Sequence, residues 1–212
     1  MIELFGLPGC GKSTLCKNIE KNGYDDLLYK YKNRFLYKLI FHASIKFTFL
    51  FPNVYNNFKY IKQLFFENQV NIKEYKNMYI KKTSLILYIK YLSFIYTMEQ
   101  KYDNKKVIID EGIVHYCMAL YSEFDIPLDS LKKICFELLG DKTIIPVGLK
   151  ISLDQCFYRI KKRNRRNTGI DYLNDNELFK LILRYEKAFN YFSKFFVCKD
   201  YDNILKYLEE VQ

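Results

Sequence analysis

Along the chain, short apolar runs alternate with longer stretches in which apolar side chains return every three or four positions. Ile2–Phe5 is a short apolar run ending at glycine, as a buried strand does, and Ser13–Glu20 follow with helical character. Residues 33–51 are strongly apolar, interrupted by Lys38, His42 and Lys46. That four-residue spacing puts the three on one face, which fits a soluble amphipathic helix best, with a membrane-surface helix as the alternative. Pro52 closes this segment, and Val54–Asn68 and Lys82–Lys101 predict two more helices, rich in aromatics. Tyr60, Phe65, Tyr88, Tyr91, Phe94 and Tyr96 are expected to pack those helices together. Val107–Ile109 form a β-branched strand that ends in Asp110 and Glu111 and turns at Gly112. Beyond it the pattern predicts a helix over Ser130–Leu139, a turn at Gly140 and Asp141, and a strand over Ile144–Ile151 with Pro146 near its start. Ser152–Gln155 matches the S-x-x-Q capping box, so a helix begins near Leu153. A polar loop at 167–169, a long helix over Asn176–Lys194, a strand at Phe195–Cys198 and a terminal helix after Asp202 complete the chain. Strands alternating with helices predict an α/β fold, its parallel sheet covered on both faces.

Composition narrows this picture without redirecting it. A chain of 212 residues, half of them hydrophobic and 18% aromatic, has ample material for one core. Neither a repeat nor a Gly/Ser/Pro-rich linker divides it, so a single domain over 1–212 is expected. The net charge of +10 would suit phosphorylated ligands or nucleic acid, yet the lysines are spread from Lys12 to Lys206 among Asn and Tyr. A solvated surface is the simpler reading, and nucleic acid is not expected as a partner. Six cysteines without a C-x-x-C pair or metal-like cluster predict free thiols. Neither a secretory leader nor a transmembrane segment is expected from the pattern, and a cytoplasmic protein is the expectation.

The chemistry begins at residue 6. Gly6-Leu7-Pro8-Gly9-Cys10-Gly11-Lys12-Ser13 satisfies every fixed position of G-x-x-x-x-G-K-[ST], and Thr14 extends it. Three glycines within six residues let the backbone wrap a phosphate so closely that side chains would obstruct the N–H groups. Strand before and helix after give the motif its proper context. In this reading Gly6, Pro8, Gly9, Cys10, Gly11, Lys12, Ser13 and Thr14 hold a nucleotide. Lys12 reaches its β- and γ-phosphates, and Ser13 ligates Mg²⁺. Asp110, at the end of its strand, stands where such a loop's partner carboxylate holds Mg²⁺, usually through water. Glu111 could accept the proton of an incoming hydroxyl, pair with a base, or face solvent. Arg159, Arg163 and Arg166 are spaced by four and three residues and so share a helix face able to clamp a transferring phosphoryl group. Neither His42 nor His115 lies in a nucleophile pattern, and neither is assigned a role.

With these residues in view, the chain resembles the P-loop kinases that phosphorylate nucleosides, nucleotides and other small metabolites, among them thymidylate and adenylylsulfate kinases. GLPGCGKST at 6–14, VIIDEG at 107–112 and LKISLDQCFYRIKKRNRR at 149–166 carry the resemblance. It implies a three-layer P-loop fold with a five-stranded, mostly parallel sheet, a helical acceptor-side insert at about 33–101, and an arginine-rich lid at about 159–175. It also implies that the lid arginines close over ATP, with adenine near Lys199 to Asp202. The chain departs from nucleotide and deoxynucleoside kinases in having Asp110-Glu111-Gly112 where an acidic-Arg pair is common, which argues against a nucleoside or nucleotide acceptor. The Asp-Glu-Gly ending and long aromatic insert also resemble kinase-like proteins of bacterial surface-polysaccharide gene clusters.

The expected activity is therefore an ATP- and Mg²⁺-dependent phosphotransfer to a hydroxyl or phosphate of a small molecule. The alternative is a P-loop switch or assembly protein that hydrolyses nucleotide to control a partner. No N-K-x-D guanine-reading motif is present, since Asn104-Lys105-Lys106 is followed by Val107. A polynucleotide 5′-kinase is the third reading. The acceptor, the preference between ATP and GTP, and the oligomeric state are not encoded in any motif.

Overall fold

The computed structural model describes residues 1–20, 23–26, 35–80, 83–102, 105–140, 143–163 and 169–210. Five strands form one sheet: β1 (Ile2–Phe5), β2 (Asp25–Asp26), β3 (Val107–Ile109), β4 (Ile145–Leu149) and β5 (Val197–Lys199). Their order is β2-β3-β1-β4-β5 and every pairing is parallel. Ile2 lies beside Ile108 on one side and Ile145 on the other, so β1 is the central strand. All four of its residues are buried, Glu3 included. The strand order changes direction at β1, and ligands in open α/β sheets collect at such a point, beyond the carboxyl ends of the strands.

Nine helices cover the sheet among the described residues: α1 (Lys12–Glu20), α2 (Phe35–Lys46), α3 (Pro52–Glu67), α4 (Leu85–Tyr102), α5 (Ile113–Phe124), α6 (Leu128–Leu139), α7 (Leu153–Lys162), α8 (Asp175–Phe192) and α9 (Tyr201–Glu210). Short 3-10 turns lie at Thr48–Leu50 and Gly169–Tyr172. Pro52, which ends the preceding segment, also opens α3 at its first turn, where the missing N–H has no partner to lose. Ser152 caps α7 by accepting from the Gln155 backbone at 3.3 Å. Asn174 and Glu177 form a full capping box for α8, which starts one residue earlier than its periodicity predicts.

Two elements escaped the sequence pattern. β2 is a pair of aspartates with no apolar alternation, held in the sheet by its backbone. The larger omission is α5, ten of whose twelve residues are buried. A helix covered all round has no polar stripe, so its periodicity vanishes. It packs between α4, α6 and α8, and its N-terminus points from the end of β3 into the site. The insert aromatics are core, as expected: Phe65 and Phe94 are buried, while Tyr60, Tyr88 and Tyr91 are partly so. A second, smaller apolar cluster of Met1, Ile45, Val54, Phe94, Ile95, Met98, Val107 and Ile109 fastens the insert to the sheet. All six cysteines are free thiols. Among the described residues no helix is long and apolar enough to cross a membrane.

Candidate functional site

The glycine-rich loop joins β1 to α1 at the carboxyl edge of the sheet. Gly9 and Gly11 take φ of +80° and +105°, which other residues adopt only under strain. Space is short as well: a Cβ on Gly9 would lie 3.0 Å from Ile160 Cγ1 and 3.2 Å from the Cys156 carbonyl oxygen. The loop is thus pressed against α7. Lys12, the first residue of α1, is buried and turns back across the loop, its ammonium donating to the carbonyls of Gly6 at 3.0 Å and Leu7 at 3.3 Å. Its charge is thereby held at the loop's centre by the backbone around it. Thr14 and Leu15 donate their N–H groups to Gly11 O at 3.0 and 2.9 Å, closing the first turn of α1. The helix N-terminus adds its partial positive charge at the same place.

Across the mouth of the loop, Ser13 Oγ donates to Asp110 Oδ2 at 2.6 Å. The contact joins residues 97 positions apart, and it follows from the pairing of β1 with β3, which brings the two strand ends together. A hydroxyl and a carboxylate presented side by side are oxygen donors of the kind Mg²⁺ takes, with water and phosphate completing its shell. The pair fits that ion. Among the described residues no group of three or more His, Cys, Asp or Glu could form an all-protein metal cage.

The arginines divide. Arg159, on α7, donates through Nη1 to Cys10 O at 3.2 Å and so braces the loop. Arg163, at the end of α7, makes two bonds to Asp171 Oδ1, at 3.2 Å from Nε and 2.8 Å from Nη2. The Asp171 carboxylate is nearly buried, so the 3-10 turn at Gly169–Tyr172 holds Arg163 in place. Arg166 lies outside the described residues, and the face it was expected to share is represented by Arg159 and Arg163 alone.

These residues enclose one cavity of about 520 Å³. Its floor is the loop from Pro8 to Thr14, and its walls carry Asp110, Glu111, Arg159 and Arg163. It also takes in side chains that no motif announced: His115, Tyr185 and Tyr201. His115 arrives through α5, and its ring stacks on Tyr185 of α8 at 6.4 Å between centroids. Tyr201 opens α9 and donor Asn18 fixes its hydroxyl at 2.8 Å. A position beside Gly11 shows how close the loop lies to its neighbours: a Cβ there would be 3.5 Å from Arg159 Nη1 and 3.9 Å from the Tyr201 ring. Tyr201, with Asp200, also lines an adjoining cavity of about 710 Å³. Among the described residues of the insert, none lines the wall near Asp110. The insert's influence is one layer removed: Tyr91 of α4 stacks on Tyr116 of α5 at 6.3 Å. Burial, with the Glu111 charge nearby, pushes the Tyr116 hydroxyl well above its ordinary range, so it stays protonated.

Beneath the cavity, Glu123 of α5 is buried among donors. Asn77 Nδ2 reaches it at 2.7 Å and the Tyr185 hydroxyl at 3.1 Å. Burial raises its carboxyl pKa, against the lowering effect of hydrogen bonds from Tyr88, Asn77 and Tyr185. Tyr185, whose ring forms the cavity wall, is thereby anchored from behind.

No protein-family model and no curated relative matches the sequence. Solved structures do. Deoxyadenosine kinase from M. mycoides with the products dCMP and a flexible dCDP bound matches with a TM-score of 0.58 at 18% identity, covering 100% of this chain and 99% of that one. The same enzyme with dATP gives 0.55 at 17% identity, covering 98% of each chain. With dCTP it gives 0.54 at 16%, covering 99% and 98%. Identity this low speaks to architecture, and the architecture agrees over the full length: the chain has a P-loop kinase fold, similar to that of deoxyadenosine kinase from M. mycoides.

Proposed function

We propose that the protein is an ATP- and Mg²⁺-dependent phosphotransferase acting on a hydroxyl or phosphate of a small-molecule acceptor. The observation that carries this reading is the convergence on one cavity of Lys12, the Ser13–Asp110 pair and the lid-base arginines Arg159 and Arg163. The loop backbone and Lys12 hold the donor phosphates, and Arg159 and Arg163 balance the negative charge that spreads over the transferred group. Ser13 and Asp110 would hold Mg²⁺, which supplies further neutralisation between the phosphates. With Asp110 turned to Ser13, Glu111 on the cavity wall is assigned to orient the acceptor hydroxyl and take its proton. His115 and Tyr185 form the face against which the acceptor packs.

The likeness to deoxyadenosine kinase makes nucleosides the first acceptors to test, and the absent arginine after Asp110 makes sugars and amino alcohols the second. Switch-type hydrolysis has less support, because two arginines at the cavity suit transfer to a bound acceptor. The purified chain is incubated with MgATP and separate panels of nucleosides, nucleotides, sugar nucleotides and amino alcohols. Mass spectrometry should find a phosphorylated product in one panel, formed in step with ADP. ADP formed at one rate in every panel, with no phosphorylated product, would contradict transfer and favour the switch.

A further inference from the structure

The lysines are spread along the sequence, but the carboxylates are not. From residue 27 to residue 66 there is no Asp or Glu, against six lysines and Arg34. The described part of this stretch is the outer layer of the insert, and it shows large apolar side chains to solvent. Phe49 and Leu50 are 65% and 62% exposed, and Leu39, Ile40 and Phe47 are exposed beside them. Leu39 and Lys46, and likewise Ile40 and Phe47, are seven residues apart and so share one face two turns along. The Phe47 N–H bonds Ala43 O at 2.7 Å, so the helical path continues into the 3-10 turn. There the Phe47 and Phe49 rings lie 6.3 Å apart, with the Lys46 ammonium 5.4 Å from the Phe47 ring.

Loose packing does not account for the exposure. On the opposite side Ser44, Ile45 and Thr48 are buried, and Phe41 meets Phe94 at 4.9 Å and Tyr91 at 5.6 Å between centroids. The neighbouring helices add no accessible acid close by. Glu99, the one carboxylate of α4, is fully buried. Glu67 ends α3, about 22 Å along the helix from Pro52 at 1.5 Å per residue.

We propose that this face docks on the surface of an anionic lipid bilayer. The apolar tip enters the headgroup boundary while the lysines meet lipid phosphates, as interfacial amphipathic helices do. A second copy fits less well, because a two-fold interface would set this cationic face against itself. Nucleic acid fits less well too, since Leu39, Ile40 and Leu50 have no ring to stack on a base. The proposal stands whether or not the chain transfers phosphate.

Co-sedimentation of the full chain with vesicles tests it. Binding is expected to vesicles of equal parts phosphatidylcholine and phosphatidylglycerol, to fall as salt rises, and to be far weaker to phosphatidylcholine alone. Phe49→Ser with Leu50→Ser should weaken it at least about tenfold, and Lys46→Glu should weaken it in the same direction, with the circular dichroism of both variants unchanged. Failure of the unaltered chain to sediment with anionic vesicles would overturn the proposal. So would a dimer in analytical ultracentrifugation that the double variant abolishes, or salt-sensitive binding to single-stranded RNA in place of vesicles.

Discussion

At the scale of single residues, the site joins two kinds of information. Gly6 to Thr14 is local: spacing, glycine content and the flanking elements all lie within one short segment, so its geometry follows from the sequence. Lys12 folding back onto Gly6 O and Leu7 O is that geometry realised. His115, Tyr185, Tyr201 and Asp171 are the other kind. Each is an ordinary residue on its own element, and only tertiary packing brings it to the cavity or to an arginine beside it. Asp171 is the instructive case, because it decides what Arg163 can do. Held by two hydrogen bonds, that guanidinium is aimed before any ligand arrives, and a preorganised cation acts most strongly where charge develops in the transition state. Arg163→Ala should therefore lower kcat on the order of a hundredfold while changing ATP affinity much less, read from steady-state kinetics beside calorimetric titration. Equal losses in both would argue that Arg163 only holds the donor.

Elements marked by a short apolar run with a clear end, or by helical periodicity and a cap, were legible from the pattern, and those without such marks were not. β1, α1, β3, β4, α7 and α8 fall within a few residues of expectation because a short apolar run, a glycine or acidic residue at its end, or a helix cap marks each of them. Helix α5 was lost because burial on every side erases its period, and with it went His115, Tyr116 and Glu123. Yet α5 is the element that ties the site to the insert. Glu123 takes a bond from Asn77, whose own oxygen accepts from the N–H groups of Tyr79 and Ile80 at 2.9 and 2.7 Å, and Ile80 packs against Gly169 at the start of the 3-10 turn. The buried carboxyl has a measurable consequence. Its folded-state pKa is raised above the ordinary 4.5, so it binds its proton more tightly when folded. The stability it adds is complete below about pH 4.5 and is lost as pH climbs through the raised folded value. Glutamine does not titrate. Denaturant unfolding of the chain and of Glu123→Gln should show the difference in stability, chain minus variant, falling as pH rises above the ordinary carboxyl value of about 4.5. A difference independent of pH would mean that burial leaves this carboxyl unperturbed.

At the scale of the whole molecule, one strand order accounts for the donor side. Placing β1 between β3 and β4 brings the phosphate loop, Asp110 and the start of α7 to the same edge of the sheet, so that residues 12, 110 and 159 meet in one cavity. The side proposed for the acceptor is built differently, from α5, α8 and the 3-10 turn at Gly169–Tyr172, with α4 supporting them from behind through Tyr91 on Tyr116. The sequence spoke to the first because phosphate chemistry demands fixed residues at fixed spacing. It was silent on the second because packing surfaces for an acceptor demand only shape. The central claim, that the loop around Lys12 binds the triphosphate of ATP, meets its most direct test in calorimetric titration of MgATP into the intact chain and into Lys12→Ala. The expected result is saturable one-to-one binding by the chain and a loss of affinity of at least about a hundredfold in the variant, with circular dichroism unchanged. Equal affinities in the two proteins, or no binding to the intact chain, would contradict it.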